Sequence, residues 1–132
     1  MSCHNDLLGQ FKEKILANKE HLWQKDEETG HPRWASETQY LNIVMSILIK
    51  VSDISNESRP LDVATPWIDR LLEEFFHQSD YEKKVNLPSA PFMDRDKVTK
   101  PESQFSFITY VIMPLFLSLC ELFPKLEASQ TT

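Results

Sequence analysis

Two polar side chains interrupt otherwise apolar helical stretches, and both carry chemistry suited to ligand binding. The first is Asp53. It follows the run Leu41 to Val51, which is apolar on almost every side. A carboxylate at the C-terminal end of a helix meets the negative end of the helix dipole, so Asp53 calls for a cation, a cap donor or a metal. Local turn capping by Asp53, Ser55 and Asn56 fits the same pattern and is the simpler account from pattern alone. The second is Gln104. It sits between Ser103 and Phe105 at the head of the most apolar stretch, with Phe107 three residues on. Residues at i and i+3 share a helix face. An amide presents a donor and an acceptor side by side, and an aromatic ring can stack on a planar heterocycle, so the pair can recognise a base. By spacing alone, a capping glutamine beside core phenylalanines accounts for it more simply.

The other candidate ligands form no second centre. His4, His21, His31 and His77 each lack a partner ligand at i+4, and exposed or capping positions are expected for them. Cys3 and Cys120 have no metal-site spacing and read as reduced thiols of a cytosolic protein, buried or partly buried. Gly9 and Gly30 are the only glycines, which removes glycine-rich phosphate loops and the nucleotide-binding folds built on them.

The elements that must position these residues are helical from end to end. Leu7, Leu8, Phe11, Ile15 and Leu16 recur at helical spacing, with Asn5 or Asp6 as the cap. The polar stretch from Ala17 to Trp34 reads as a loop. Ser36 and Gln39 have capping-box spacing and open a second helix through Val51. A helix apolar on all sides is surrounded by protein, and a chain this short has difficulty burying one. A polar turn from Asp53 to Pro60 leads to a third helix. Its apolar face is Val63, Ala64, Trp67, Ile68, Leu71, Leu72, Phe75 and Phe76, its first turn holds Pro66, and it ends at His77. Tyr81 to Lys84 suggests a helical turn, and Leu87 to Asp94 a loop. A fourth helix starts near Pro101, bends at Pro114 and stops before Pro124. The expected organisation is one helical domain over residues 1–126 and a disordered tail over 127–132. No strand shows convincing alternation.

Composition bounds the partners. The chain has 132 residues, is 41% hydrophobic and 26% charged, and carries a formal net charge of −6. An acidic balance argues against a general grip on nucleic acid, which needs clustered Lys and Arg. It leaves room for a phosphate-bearing ligand at a bound metal. No secretory signal is expected in the polar opening residues. Phe105 to Cys120 carries no charge but is shorter than the roughly 20 apolar residues of a membrane span, so a buried core helix is expected.

Four strings, in order, carry a resemblance. They are Ile49-Lys-Val-Ser-Asp53-Ile-Ser-Asn56, Trp67-Ile-Asp-Arg-Leu71-Leu-Glu-Glu-Phe75-Phe76, Ala90-Pro-Phe92-Met-Asp94-Arg and Ser103-Gln104-Phe-Ser-Phe107-Ile. Together they span about half the chain, and four ordered motifs are far more specific than one. They resemble the class I cyclic-nucleotide phosphodiesterases. Arg59-Pro60-Leu61-Asp62-Val63-Ala64 and Phe92 to Lys100 are similar to the cGMP-specific type-nine branch.

The resemblance implies an all-α fold, the C-terminal half of a compact, HD-type helical catalytic domain. It implies that Asp53 is a metal-ligating aspartate, which would supply the cation its place on the dipole calls for. It implies that Asn56 lies near the sugar and phosphate and that Gln104 pairs with the purine edge. Phe107 would stack on the base with Leu71 opposite, and Phe75 and Phe92 would line the pocket. Type-nine enzymes carry tyrosine at the position of Phe75, so a polar contact there is lost. The implied reaction is hydrolysis of a 3′,5′-cyclic phosphodiester to a 5′-nucleotide with zinc and magnesium or manganese. The implied ligand is cGMP rather than cAMP, and the complete enzyme would be a homodimer. The family's upstream motifs, H-N-x-x-H and H-D, do not occur in these 132 residues, so no catalytic residue and no complete metal site is expected in this chain. Expected, then, is either a fragment of such an enzyme or a helical protein that keeps the nucleotide-pocket half and acts by binding. Exposed apolar surface and self-association follow from the fragment reading.

Overall fold

The computed structural model describes residues 2–126, with side chains from His4 onward. In chain order its helices are α1 (Ser2–Gln10), α2 (Lys19–Leu22), α3 (Arg33–Ser36), α4 (Thr38–Asp53), α5 (Leu61–Lys84), α6 (Lys100–Phe107) and α7 (Met113–Leu122). Wider π-type turns occupy Phe11–Ile15 and Ile108–Ile112, and 3₁₀ turns occupy Leu16–Asn18, Ser55–Ser58 and Pro91–Met93. The fold is all-α. One isolated antiparallel bridge, Lys25 to Pro32, is the extended pairing among the described residues. The tail expected over 127–132 lies outside the described residues.

The residues cluster into two compact units. One holds the chain up to Asp53 together with the residues from Met113 on; the other is Ile54–Ile112. In the first, α4 packs against α1, the Phe11–Ile15 turn, α3 and α7. Its core is Phe11, Ile15, Leu22, Val44, Ile47, Leu115 and Leu122, each fully buried or within 1% of it. Trp23, Trp34 and Phe123 meet edge to face, with centroids 5.6–5.8 Å apart. The Trp23 indole N–H donates to the carbonyl of Leu122 at 3.2 Å. Edge-to-face packing aligns positive ring edges with negative faces.

Several local expectations are corrected here. Asn5 and Asp6 lie inside α1, which starts at Ser2, so neither caps it. The stretch expected as a loop from Ala17 contains α2, anchored by buried Leu22 and by an ion pair from Lys19 to Glu121 at 3.1 Å. One apolar anchor gives no readable period. The Ser36–Gln39 capping box does not form. Ser36 ends α3, and its hydroxyl pairs with Thr29 Oγ1 at 2.6 Å, because extended Glu37 separates α3 from α4. Within α4 only Val44, Ile47 and Val51 are buried, while Met45 and Ile49 are exposed.

The second unit is built on α5, 24 residues long. It runs past His77, so His77 sits inside the helix rather than at its end. What stops α5 is Asn86 in a left-handed conformation (φ 56°). Leu87 N–H bonds back to Glu82 O at 2.8 Å and Asn86 N–H to Lys83 O at 3.2 Å, the paired bonds of a Schellman termination. Pro66 lies in the second turn rather than the first and has no N–H for the carbonyl of Asp62, an exposed residue.

A capping box does occur, at α6. Thr99 Oγ1 accepts from the Glu102 N–H, and the Glu102 carboxylate accepts from the Thr99 N–H at 3.0 Å. Pro101 follows in the first turn. Thr99→Ala is expected to destabilise the second unit by about 1 kcal/mol, the usual value of a helix cap. Urea unfolding followed by circular dichroism measures it.

Lys100–Leu122 is unbroken helical backbone of 23 residues, close to the helix expected from near Pro101 to before Pro124. The Ile108–Ile112 turn widens just before Pro114, which has no N–H for the carbonyl of Tyr110. By length and composition this helix could cross a bilayer, with 28% of its apolar window buried. Leu115, Leu119 and Leu122 are buried, whereas Phe105, Tyr110 and Leu117 are exposed. It is thus one-sided rather than the fully buried helix expected.

Candidate functional site

The candidate residues fall into the two units as the sequence order divides them. Asp53 belongs to the first. It is the last residue of α4, its side chain is exposed, and with Leu48, Ile49 and Ser52 it lines a shallow, open depression. Among the described residues no three His, Cys, Asp or Glu side chains converge to hold a metal. A catalytic zinc needs about three protein ligands. The described residues therefore do not complete a zinc centre by themselves. Of the histidines, His21, His31 and His77 are exposed. His4 is half-buried rather than exposed or capping, and its Nε2 is buried without a hydrogen-bond partner. Burial first, then the charge of Lys50, lowers its pKa. Cys120 is half-buried.

Asn56, Leu71, Phe75, Phe92, Gln104 and Phe107 all belong to the second unit, and all are half-buried. The 3₁₀ turns Ser55–Ser58 and Pro91–Met93 both pack against α5. Leu71 and Phe75 are one turn apart on α5 and share a face. Phe75 meets Phe92 edge to face, with centroids 6.2 Å apart and planes at 81°. Gln104 and Phe107 are three residues apart on α6. Lys100 at the head of α6 pairs with Asp69 of α5 at 2.8 Å.

The residue that sequence reasoning missed is Glu57. Its carboxylate accepts a hydrogen bond from the Gln104 side-chain N–H. The two are 47 residues apart, and no local spacing could link them. Burial pushes the Glu57 carboxyl up, and the Gln104 N–H works against that rise. A carboxylate only accepts, so it selects the NH₂ side of the amide and leaves Oε1 facing elsewhere. Beside Glu57, Asn56 Nδ2 is buried with no protein partner, as is Ser103 Oγ beside Gln104. Unsatisfied buried groups carry a desolvation cost and mark places where a further polar partner fits.

An ion network backs the aromatic pair. Asp94 is 2% exposed and accepts from Lys83 at 2.5 Å and from the Asp96 N–H at 3.0 Å. The Lys83 ammonium, followed by the Asp96 N–H, holds the Asp94 carboxyl below its usual range. The Thr99 N–H does the same for Glu102. A carboxyl lowered in the folded state stabilises above its ordinary pKa, and that contribution is lost as pH falls through the folded value. Lys83 is raised, chiefly by Asp94, so its share is lost only as pH rises above the ordinary lysine range. Glu57 has the opposite sign to the lowered carboxyls: its rise favours the folded state on the acid side. The second unit is expected to keep its stability from about pH 5 to about pH 9 and to lose it below about pH 4. Asp94→Asn should flatten most of the acid limb. Hydrogen exchange at the Asp96 and Val98 amides against pH reads this out.

The family model described as 3′5′-cyclic nucleotide phosphodiesterase matches residues 1–131. The chain is 46% identical over 127 residues to a protein of Mus musculus named high affinity cGMP-specific 3′,5′-cyclic phosphodiesterase 9A, covering 96% of this chain and 21% of that protein. It is 49% identical over 130 residues to the Drosophila melanogaster protein of the same name, covering 96% of this chain and 7% of that one. A Dictyostelium discoideum protein, cGMP-specific 3′,5′-cGMP phosphodiesterase 3, is 43% identical over 90 residues, which is 68% of this chain and 19% of that protein. The chain thus spans about a fifth or less of the length of these relatives.

Proposed function

The chain belongs to the 3′,5′-cyclic-nucleotide phosphodiesterase family, and from that premise we propose that its second unit is the purine-recognising wall of such an enzyme, with cGMP preferred over cAMP. The observation that carries the reading is the Gln104 amide pinned by Glu57. Guanine and adenine present donor and acceptor in opposite order along the edge an amide would meet. A freely turning amide serves both, whereas an amide fixed on one side by a carboxylate serves one order better. The choice of cGMP rests on the relatives, which are named for it.

In this reading Gln104 holds the purine edge, Phe107 and Leu71 clamp its faces, and Phe75 and Phe92 close the apolar side. Asn56 turns its unpartnered Nδ2 toward the sugar or phosphate. The enzyme's reaction is attack of water on phosphorus with cleavage of the P–O3′ bond, the 3′ oxygen taking up a proton as a hydroxyl, giving a 5′-nucleotide. Asp53 is one carboxylate for a zinc and magnesium or manganese centre, and the described residues supply no second ligand set. The protein is proposed to be cytoplasmic, with the apolar Lys100–Leu122 helix as a core element, and a homodimer in the complete enzyme.

A second reading is a helical protein that binds the nucleotide without hydrolysing it, alone or as a dominant-negative partner. It is favoured by the single carboxylate at the metal end. Turnover separates the two.

Calorimetric titration of the chain with cGMP and cAMP tests the assignment. Gln104→Ala is expected to weaken cGMP binding about tenfold and to erase most of the preference, as loss of a hydrogen bond worth about 1–2 kcal/mol requires. Unchanged affinity and preference would remove Gln104 from the site.

A further inference from the structure

We propose that Lys83 and Asp94 form a latch that pins the segment Pro91–Thr99 to the C-terminal half of α5 and so sets Phe92 against Phe75. They are positioning residues for the pocket wall, a role that rests on the nucleotide-pocket reading above.

Three features carry this. First, Asp94 is an ionisable residue buried to 2% exposure in a segment with little apolar anchorage of its own. Such a carboxylate stays buried only when its oxygens are satisfied. Here Lys83 holds Oδ1 at 2.5 Å, Lys97 approaches Oδ2 at 3.7 Å, and the Asp96 N–H closes a tight turn on Oδ1 at 3.0 Å. Second, the backbone folds around the same residue. Asp94 N–H bonds to Pro91 O at 3.2 Å, and the Asp94 carbonyl accepts from Lys97 N–H at 2.9 Å and Val98 N–H at 3.1 Å. Phe92 lies two residues from this anchor, so its ring position follows from it. Third, α5 presents the receiving groups on one face. Phe76, Asp80 and Lys83 are spaced at i, i+4 and i+7. Arg95 pairs with Asp80 at 2.8 Å and lies 5.4 Å above the Phe76 ring. Lys83 also reaches Asp96 at 3.0 Å.

Lys83 is the partner to change, because its side chain is 37% exposed and its removal leaves no cavity in a core. Removing it leaves the Asp94 carboxylate with the Asp96 N–H and the longer Lys97 contact, too little to hold the buried charge, which then draws the segment toward water. An arginine can still reach a carboxylate and should preserve the latch.

The test uses the 132-residue chain carrying 4-fluorophenylalanine, with the Phe92 resonance assigned by Phe92→Leu, together with amide exchange. Lys83→Met is expected to move the Phe92 fluorine signal toward its solvent-exposed position and to speed exchange at the Asp96 and Val98 amides about tenfold or more, with α5 amides around Leu72 unchanged. Lys83→Arg should restore both readouts. Asp94→Asn, which keeps the side-chain volume, should reproduce Lys83→Met and provides a second route should the first variant unfold. cGMP affinity should fall about tenfold in Lys83→Met and recover in Lys83→Arg, following the ring signal. An unmoved Phe92 signal with unaltered exchange overturns the latch. A loosened latch with unchanged cGMP affinity overturns the positioning role. If the parent chain binds no cGMP, the pocket reading fails, and the fluorine signal still decides the latch.

Discussion

Incubated with cGMP, zinc and magnesium, the 132-residue chain is expected to yield no 5′-nucleotide above a no-protein control. The expected loss is the whole catalytic factor, because phosphate-ester hydrolysis without catalysis is among the slowest of biological reactions. An enzyme accelerates it by activating water and neutralising charge at the phosphoryl oxygens, and a metal serves both ends only when the protein fixes its coordination. The described residues offer Asp53 on the exposed end of α4 and no converging set of three ligands. His21, His31 and His77 are exposed, and His4 is a half-buried side chain facing α4 and Lys50. A lone carboxylate binds divalent ions too weakly and too openly to organise a nucleophile. Product formation that disappears with a chelator would contradict this.

Phe11→Ala is expected to cost about 3–5 kcal/mol, the usual range for a fully buried aromatic truncated to a methyl. Phe11 is 0% exposed and opens the turn that packs on α4. A domain's net stability is only about 5–15 kcal/mol, so this one change should bring the first unit close to unfolding. Trp23 and Trp34 lie in the same unit and meet Phe123 edge to face, so their fluorescence reports the transition. A midpoint in urea within error of the parent would show that Phe11 does not anchor this core.

Much of the fold was legible because apolar residues at helical spacing mark a buried face wherever they are dense. Phe11 and Ile15, and Leu72 and Phe76, are read correctly as inward on that basis. What escaped was set by other forces. The end of α5 is polar from His77 on, so its period fades although the backbone continues to the Schellman turn at Asn86. The cap of α6 is Thr99 with Glu102, a pair at capping-box spacing that the neighbouring Pro101 overshadowed. Ser36 and Gln39 had the same spacing and failed, because the hydroxyl found Thr29 instead. The proposed site shows the same division. Gln104, Phe107, Phe75 and Phe92 could be named from motifs. Glu57 and the Lys83–Asp94 pair could not, because their contacts are made by tertiary folding across 47 and 11 residues.

The most direct test of the purine wall is a ¹⁵N nuclear magnetic resonance titration of the chain with cGMP and with cAMP. The account predicts that cGMP moves the Gln104 side-chain amide together with the backbone signals of Asn56, Leu71, Phe75, Phe92 and Phe107. The shifts saturate at lower concentration for cGMP than for cAMP, and the amides of His21 and His31 stay still. Saturating cGMP with no change at Gln104, or shifts gathered outside the second unit, would contradict it.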